Sequence, residues 1–385
     1  MSNDLRQNSD DLQAQKPPRK RRKFIRVIFT VLCVLIFVTG VGIVILGNWI
    51  KPAAVPDFAV IEPTSAAETA TPPVQTATPS VDEVDPAVTQ TPTPTPTPTL
   101  IPPAPEGFSS ADRKDLFYTF LIVGLDDYNN TDTLILASYD GVNNTANLIG
   151  VPRDCEVDAS RELKKINAAY PIGALNGGGK QGGMTELQKE IKSIIGFIPD
   201  FYILVNFQAV TDTVDTVGGI EVDVPFHMVY DDPVQDLHID IPKGMQLLNG
   251  YDALRFARYR KGNNGLNTIS DYDRIKNQQT VIKAVLDKLI RPRNILRIPQ
   301  FIQIFNDNVY SNITTGNMIW FANEIHKINS AGMLSEYTMP TNGSSGEPMY
   351  YEYLDEAKVL DMVNQTINPY KKDIQAKDID IIRTD

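Results

Sequence analysis

The sequence predicts a layered α/β domain, carried outside a membrane by a single apolar span and a Pro/Thr-rich stalk. Three observations predict it. A charge-free apolar run covers Val27–Trp49, a proline- and threonine-rich tract follows to about residue 111, and beyond it short β-branched runs alternate with amphipathic helical segments. Covered strands interleaved with amphipathic helices pack as layers around one core.

The span comes first. A helix crosses a bilayer with about 20 apolar residues. A cleaved signal peptide has an apolar core of only about 7–15 residues and ends at a small-residue cleavage site. The run Val27–Trp49 exceeds that core and ends Gly47-Asn48-Trp49 with no such site, which predicts a retained anchor. Lys16, Arg19, Lys20, Arg21, Arg22, Lys23 and Arg26 precede it, whereas after Lys51 no Lys or Arg occurs until Arg113. Basic residues beside a span stay cytoplasmic, so residues 1–26 form a cytoplasmic tail and everything after residue 51 lies outside. The expected location is a cell membrane crossed once, in a Gram-positive-type envelope. The 385-residue chain carries a formal net charge of −11, which argues against nucleic acid as a partner.

The stalk, residues 50–111, contains TPTPTPTPT at Thr91–Thr99 and few large apolar residues. Such sequence favours disordered, extended polyproline II backbone reaching on the order of 150 Å.

From residue 112 the strand candidates are Phe120–Val123, Thr133–Ser138, Asn147–Val151, Tyr202–Val205 and Ile220–Val224. Thr185 with Gln188 reads as a capping box opening a helix that Gly196 stops, and Gly177–Gly183 reads as a flexible lead-in to it. A second helix spans Asp271 to Leu289. Ile275, Ile282, Val285, Leu286 and Leu289 form its apolar stripe, and Asp271, Arg274 and Gln278 project from that same side near its start. Charged groups on a buried face are paired or line a cleft; an internal Asp–Arg pair is the plainer alternative. Upstream, Leu254–Arg260 read as extended backbone points Arg258 and Arg260 the same way. Surface carboxylates or a phosphate answer two such cations equally well on this reading, and Arg has the planar fork that phosphate suits. Asp126 and Asp132 flank a strand–turn–strand junction, where carboxylates converge on a hard cation or simply make a turn. Arg153 ends the next strand. Cys33 lies within the span and Cys155 stands alone, a small buried residue with no partner for a disulfide.

Several signals fail. Ala174 stands where a P-loop needs its first glycine and Gln181 follows the lysine. His227, His238 and His326 lack metal-ligand spacing, and no G-x-S-x-G elbow occurs.

Taken in order, these fragments resemble the LytR-CpsA-Psr family of cell-wall proteins. The resemblance rests on GLD…TDTLIL…VPRD, Lys165–Tyr170, Asp200–Val224 with Gly218-Gly219, Leu248-Asn249-Gly250, Arg258-Tyr259-Arg260, and Asp271-Tyr272-Asp273-Arg274 with Gln278-Gln279. It implies a domain at 112–290 with a central mixed sheet flanked by helices, its C-terminal part at 291–371, and a tail at 372–385. It further implies an Mg²⁺-dependent (or Mn²⁺-dependent) phosphotransferase. A glycopolymer such as teichoic acid or capsule would pass from a polyprenyl-pyrophosphate carrier to peptidoglycan, releasing polyprenyl phosphate. By the same resemblance Asp126 and Asp132 hold the metal, Arg153, Arg258, Arg260 and Arg274 grip the pyrophosphate, and Asp271 and Gln278 are polar partners. Asn130 and Asn277 depart from the pattern, standing where many members have Arg. A non-catalytic scaffold or regulator that binds polyprenyl phosphate or wall glycans, and a polyprenyl-pyrophosphate hydrolase, are the competing readings.

Overall fold

The computed structural model describes residues 52–55, 60–61, 100–101 and, apart from short gaps near 127, 235, 264, 290, 296, 325–333 and 347, residues 104–382. The predicted tail at 1–26, the span at Val27–Trp49 and most of the stalk lie outside the described residues. Among those described, no helix is long and apolar enough to cross a membrane.

The centre is a six-stranded mixed sheet. Its strands are β1 (Phe117–Leu125), β2 (Thr131–Asp140), β3 (Thr145–Gly150), β4 (Phe201–Val205) and two later ones, Val309–Ser311 and Leu334–Thr338. The order is Val309–Ser311, β4, β1, β2, β3, Leu334–Thr338; β4 runs parallel to β1, Leu334–Thr338 parallel to β3, and the other pairs are antiparallel. All five predicted strands are present, the first two longer at both ends because tyrosines, threonines and serines also fit the pleat.

One face of the sheet is covered by α1 (Gly179–Ile195) and by the C-terminal helix Glu356–Thr366; Leu121, Val123, Leu136 and Ile149 meet Leu187, Ile191, Val359 and Val363 there. Two helices and four ribbon strands follow β4. They are α2 (Phe207–Thr216), the strands β5 (Ile220–Val224), β6 (Met228–Asp232), β7 (Leu237–Ile241) and β8 (Gly244–Leu248), and α3 (Gly250–Arg258). Pairs β5–β8 and β6–β7 are two-stranded ribbons that share a second core with α2 and α3. Helix α4 (Asp271–Leu289) has the predicted ends. Val281 joins the second core, while Ile282 and Leu286 pack on the far face of the sheet. One helix therefore touches both layers, and a cleft opens along it.

Several sequence expectations are corrected. Helix α1 starts at Gly179, six residues before Thr185, so Thr185 and Gln188 lie inside it and are buried. The run becomes helical only from Gly179, Gly177 having non-helical backbone, and the helix there packs on Tyr170: a Cβ on Gly183 would sit 2.6 Å from the Tyr170 ring. Leu254–Arg258 is helix, capped by the Asn249 side chain accepting from the Asp252 N–H, and only Tyr259 and Arg260 leave it. Residues 372–382 are no loose tail, since Ile374 and Ile381 enter the main core. The stalk boundary also moves, because Ala104 and Phe108 pack on that core, and the Ala54 carbonyl accepts from Asn317 Nδ2.

Candidate functional site

A cavity of about 710 Å³ runs between the sheet and the ribbon layer. Most of its lining is apolar, including Ile122, Ile203, Val210, Val281, Val285 and Leu286. The same lining carries Asp132, Arg258, Arg260, Lys261, Arg274 and Gln278, and the charges of Arg260 and Asp132 act on Arg274. Four cations against one acid is an unusual wall in a chain whose net charge is −11.

Each polar group is placed by a local feature. At the β1–β2 junction the register slips, with Gly124 opposite Thr133 and Leu125 opposite Thr131, so Asp132 is the extra residue of a β-bulge. Bulges re-aim a side chain, and Asp132 reaches Arg153, which ends the strand segment after β3. Arg153 also lies 3.9 Å from Asp271 and 3.7 Å from Asp154. Helix α4 is seated by Gly150: a Cβ there would fall 2.1 Å from Ile275 Cγ2, so only glycine admits this approach. The residue before Ile275 on α4, Arg274, is 3% exposed and pairs with Asp271. Burial pushes the Arg274 guanidinium below its usual value, Asp271 opposes that shift, and the charges of Arg153 and Arg260 add to it. The internal Asp–Arg pair considered from sequence is present, and it forms part of the cleft wall.

Arg258 and Arg260 flank the buried Tyr259 at the C-terminal end of α3. Arg258 stacks on Phe207 with its guanidinium carbon 4.3 Å from the ring centroid, which leaves its N–H edge for another partner. Among the described residues neither Arg258, Arg260 nor Lys261 has a carboxylate partner. Arg153 Nε, Arg274 Nε and Asp271 Oδ2 are buried without a hydrogen-bond partner among those residues. Buried polar atoms are ordinarily satisfied, and these three lie together in one ion-paired cluster.

Five of the eight residues singled out from sequence (Asp132, Arg258, Arg260, Arg274 and Gln278) line the cavity, and Arg153 and Asp271 join through ion pairs. Asp126 is not part of that wall. Its carboxylate accepts from the Asn130 backbone N–H at 2.8 Å and from Asn130 Nδ2 at 2.9 Å, closing the turn. Asn277 Nδ2 reaches the Phe256 carbonyl and ties α4 to α3. Both asparagines thus serve the scaffold. Among the described residues no three His, Cys, Asp or Glu side chains converge on a metal position. Asp132 is paired with Arg153 and Asp126 is bonded by Asn130, so both carboxylates named for a metal are engaged within the protein.

Cys155 is free, fully buried, and its thiol is pushed up chiefly by burial, so it is no nucleophile. His227 and His238 pair with Asp240 and Asp231 on an exposed ribbon. Sequence reasoning missed Lys261, though it extends the Arg258–Arg260 run. It also missed Glu352 and Tyr350, which border a second cavity and lie two hundred residues from the strand end they meet.

The LytR_cpsA_psr family matches residues 97–368. The chain is 30% identical over 213 residues to the polyisoprenyl-teichoic acid–peptidoglycan teichoic acid transferase TagV of Bacillus subtilis (strain 168), covering 52% of this chain and 51% of that protein. The match thus spans about half of that relative's length. It is 26% identical to TagU of the same strain, also named a polyisoprenyl-teichoic acid–peptidoglycan teichoic acid transferase, over 66% of this chain and 78% of TagU. The regulatory protein MsrR of Staphylococcus aureus (strain COL) is 26% identical over 54% of this chain and 59% of MsrR. The crystal structure of B. subtilis TagV superposes with a TM-score of 0.54 at 26% identity, over 66% of this chain and 98% of that one.

Proposed function

The chain belongs to the LytR_cpsA_psr family, and on that premise we propose that it transfers a glycopolymer from a polyprenyl-diphosphate carrier to peptidoglycan, releasing polyprenyl phosphate. One observation carries the reading. Arg258, Arg260 and Lys261, with no acidic partner among the described residues, line the same cavity as a largely apolar wall. A ligand that satisfies both has a long hydrocarbon chain and a multiply charged anionic head. Relatives named as teichoic acid transferases supply the reaction class.

In this reading the polyprenyl chain lies along Ile122, Val210, Val281 and Leu286. Arg258, Arg260 and Arg274 hold the diphosphate, and Arg153 positions the wall through Asp132 and Asp271. Gln278 adds a neutral amide. A peptidoglycan hydroxyl attacks the sugar-linked phosphorus. A new phosphorus–oxygen bond forms, the bond to the bridging oxygen breaks, and polyprenyl phosphate leaves with that electron pair. The hydroxyl proton passes to Asp271 Oδ2, the buried carboxylate oxygen with no hydrogen-bond partner among the described residues. Displacement at phosphorus depends on positioning and charge neutralisation more than on a covalent nucleophile. Asp132, with Asp126 if it releases Asn130, would hold Mg²⁺ or Mn²⁺, which supplies further charge neutralisation on the phosphate oxygens.

The same reading places the protein in a cell membrane, with Val27–Trp49 as its single span and residues 104–382 outside. Purified full-length protein, a lipid-linked diphosphate glycan, Mg²⁺ and soluble uncrosslinked peptidoglycan are expected to yield polyprenyl phosphate and glycan-bearing peptidoglycan. Chelation is expected to stop the reaction and Mg²⁺ to restore it. Release of free glycan phosphate in place of the conjugate would make the protein a hydrolase, and no release at all would make it a binding module.

A further inference from the structure

Beside the apolar cleft lies a second cavity, of about 560 Å³, walled by Asp154, Arg260, Ile269, Ser270, Asp271, Tyr272, Arg274, Tyr350 and Glu352. It shares Arg260, Ile269 and Arg274 with the first. Resting on the transfer reading above, we infer that this second cavity is the subsite for the polyhydroxyl glycan backbone of the acceptor, and that Glu352 and Tyr350 determine its recognition.

The charge of the two walls differs. The apolar cleft sets four cations against one acid; the second cavity sets Asp154, Asp271 and Glu352 against Arg260 and Arg274. Behind that wall Lys165 Nζ sits 2.7 Å from Asp154 Oδ1, and Arg153 Nε lies within 3.9 Å of Asp271. With these the charges nearly cancel. A second anion gains little there, whereas hydroxyl groups find carboxylate oxygens to donate to.

The carboxylates are not equivalent. Glu352 is 6% exposed and accepts from Tyr350 OH at 2.9 Å and from Tyr272 OH at 3.2 Å, so it fixes both phenols, and the Tyr272 oxygen also meets the Thr341 hydroxyl. Asp154 is held by Lys165. Asp271 Oδ2 has no hydrogen-bond partner among the described residues, and neither has Nε of Arg274, whose side chain is only 4% exposed. A buried, partly satisfied guanidinium therefore lies in the wall that the two cavities share. Tyr350 lines this cavity and is 47% exposed, offering a flat ring of the kind on which a sugar face packs.

The sequence builds this wall from its far end. The strand Glu352–Leu354 bonds to the segment after Arg153: Glu352 N–H donates to the Asp154 carbonyl at 2.9 Å, and Glu156 N–H donates to the Glu352 carbonyl at 3.0 Å. Thus the C-terminal part of the domain brings acceptor-facing groups to the back of the arginine wall. A strand seated here presents a hydroxyl across Arg260 and Arg274 to a phosphorus held from the other side.

Direct binding tests the assignment without requiring turnover. Full-length protein in detergent is titrated separately with a soluble uncrosslinked peptidoglycan strand and with polyprenyl diphosphate. Tyr350→Ala and Glu352→Gln are expected to weaken strand binding roughly tenfold and to change diphosphate binding less than about twofold, whereas Arg258→Ala does the reverse. Tyr350→Ala guards against a folding defect from the buried Glu352 change. The assignment is overturned if the parent does not bind the strand, if neither variant weakens it, or if both ligands weaken together. A transfer assay that yields no conjugate, with this binding split intact, would sink the transferase reading and leave the glycan subsite standing.

Discussion

Arg258→Ala and Arg260→Ala are each expected to lower kcat/KM for a lipid-diphosphate donor roughly ten- to a hundredfold while the thermal midpoint moves by no more than about 2 °C. A hydrogen bond to a charged group contributes about 1.5–3 kcal/mol, and that range converts to this loss in rate. Stability is spared because neither guanidinium is paired with a carboxylate among the described residues, so its removal orphans no buried charge. Arg258→Lys separates charge from shape. It keeps a cation but loses the planar fork stacked 4.3 Å over Phe207, and an intermediate rate is expected. Steady-state kinetics together with a melting curve check this. Parent-like rates in both alanine variants would remove these arginines from the reaction.

The second large effect is on stability. Arg113→Ala is expected to destabilise the domain by about 3–5 kcal/mol, because it breaks a buried ion pair and strands one partner. Asp200 is 3% exposed; it accepts from Arg113 Nη2 at 2.8 Å and from the Thr119 backbone N–H and hydroxyl at 2.9 Å each. That carboxylate links the start of β1 to the start of β4. Burial pushes its pKa up, with Arg113 and Thr119 opposing. Folded Asp200 therefore keeps its proton to higher pH than the unfolded carboxyl does. Its contribution to stability falls as pH rises from the unfolded value through the raised folded value. Removing Arg113 extends that window upward, so the loss is greatest at neutral pH and shrinks on acidification. Denaturant titrations of Arg113→Ala at neutral and acidic pH read this directly. The double variant with Asp200→Asn is expected to recover part of the loss, since no charge is then left unpaired.

How far the sequence could be read depended on where the signal lay. Helix α4 was legible at both ends because its nineteen residues keep one periodic stripe, and Asp271, Arg274 and Gln278 break that stripe where the cleft is. The strands were legible because covered strands are continuously apolar. Helix α3 was not, since only nine residues form it and Ala253 and Phe256 are its main buried side chains. Its cap at Asn249 was the available clue. Even so, Arg258 and Arg260 share one wall, because the chain leaves the helix between them. The start of α1 was hidden by glycine's poor helix propensity, which close packing on Tyr170 overrides. Glu352 could not be placed at all, because its position follows from a strand pairing across the whole domain and from no local pattern.

The pairing of an apolar cleft with an arginine wall is tested most directly by a structure determined with polyprenyl diphosphate bound. The hydrocarbon chain is expected between Ile122, Val210, Val281 and Leu286, with phosphate oxygens in hydrogen-bond reach of Arg258, Arg260 and Arg274. A diphosphate held elsewhere, or a chain lying on the outer surface with the cleft closed, would contradict the account.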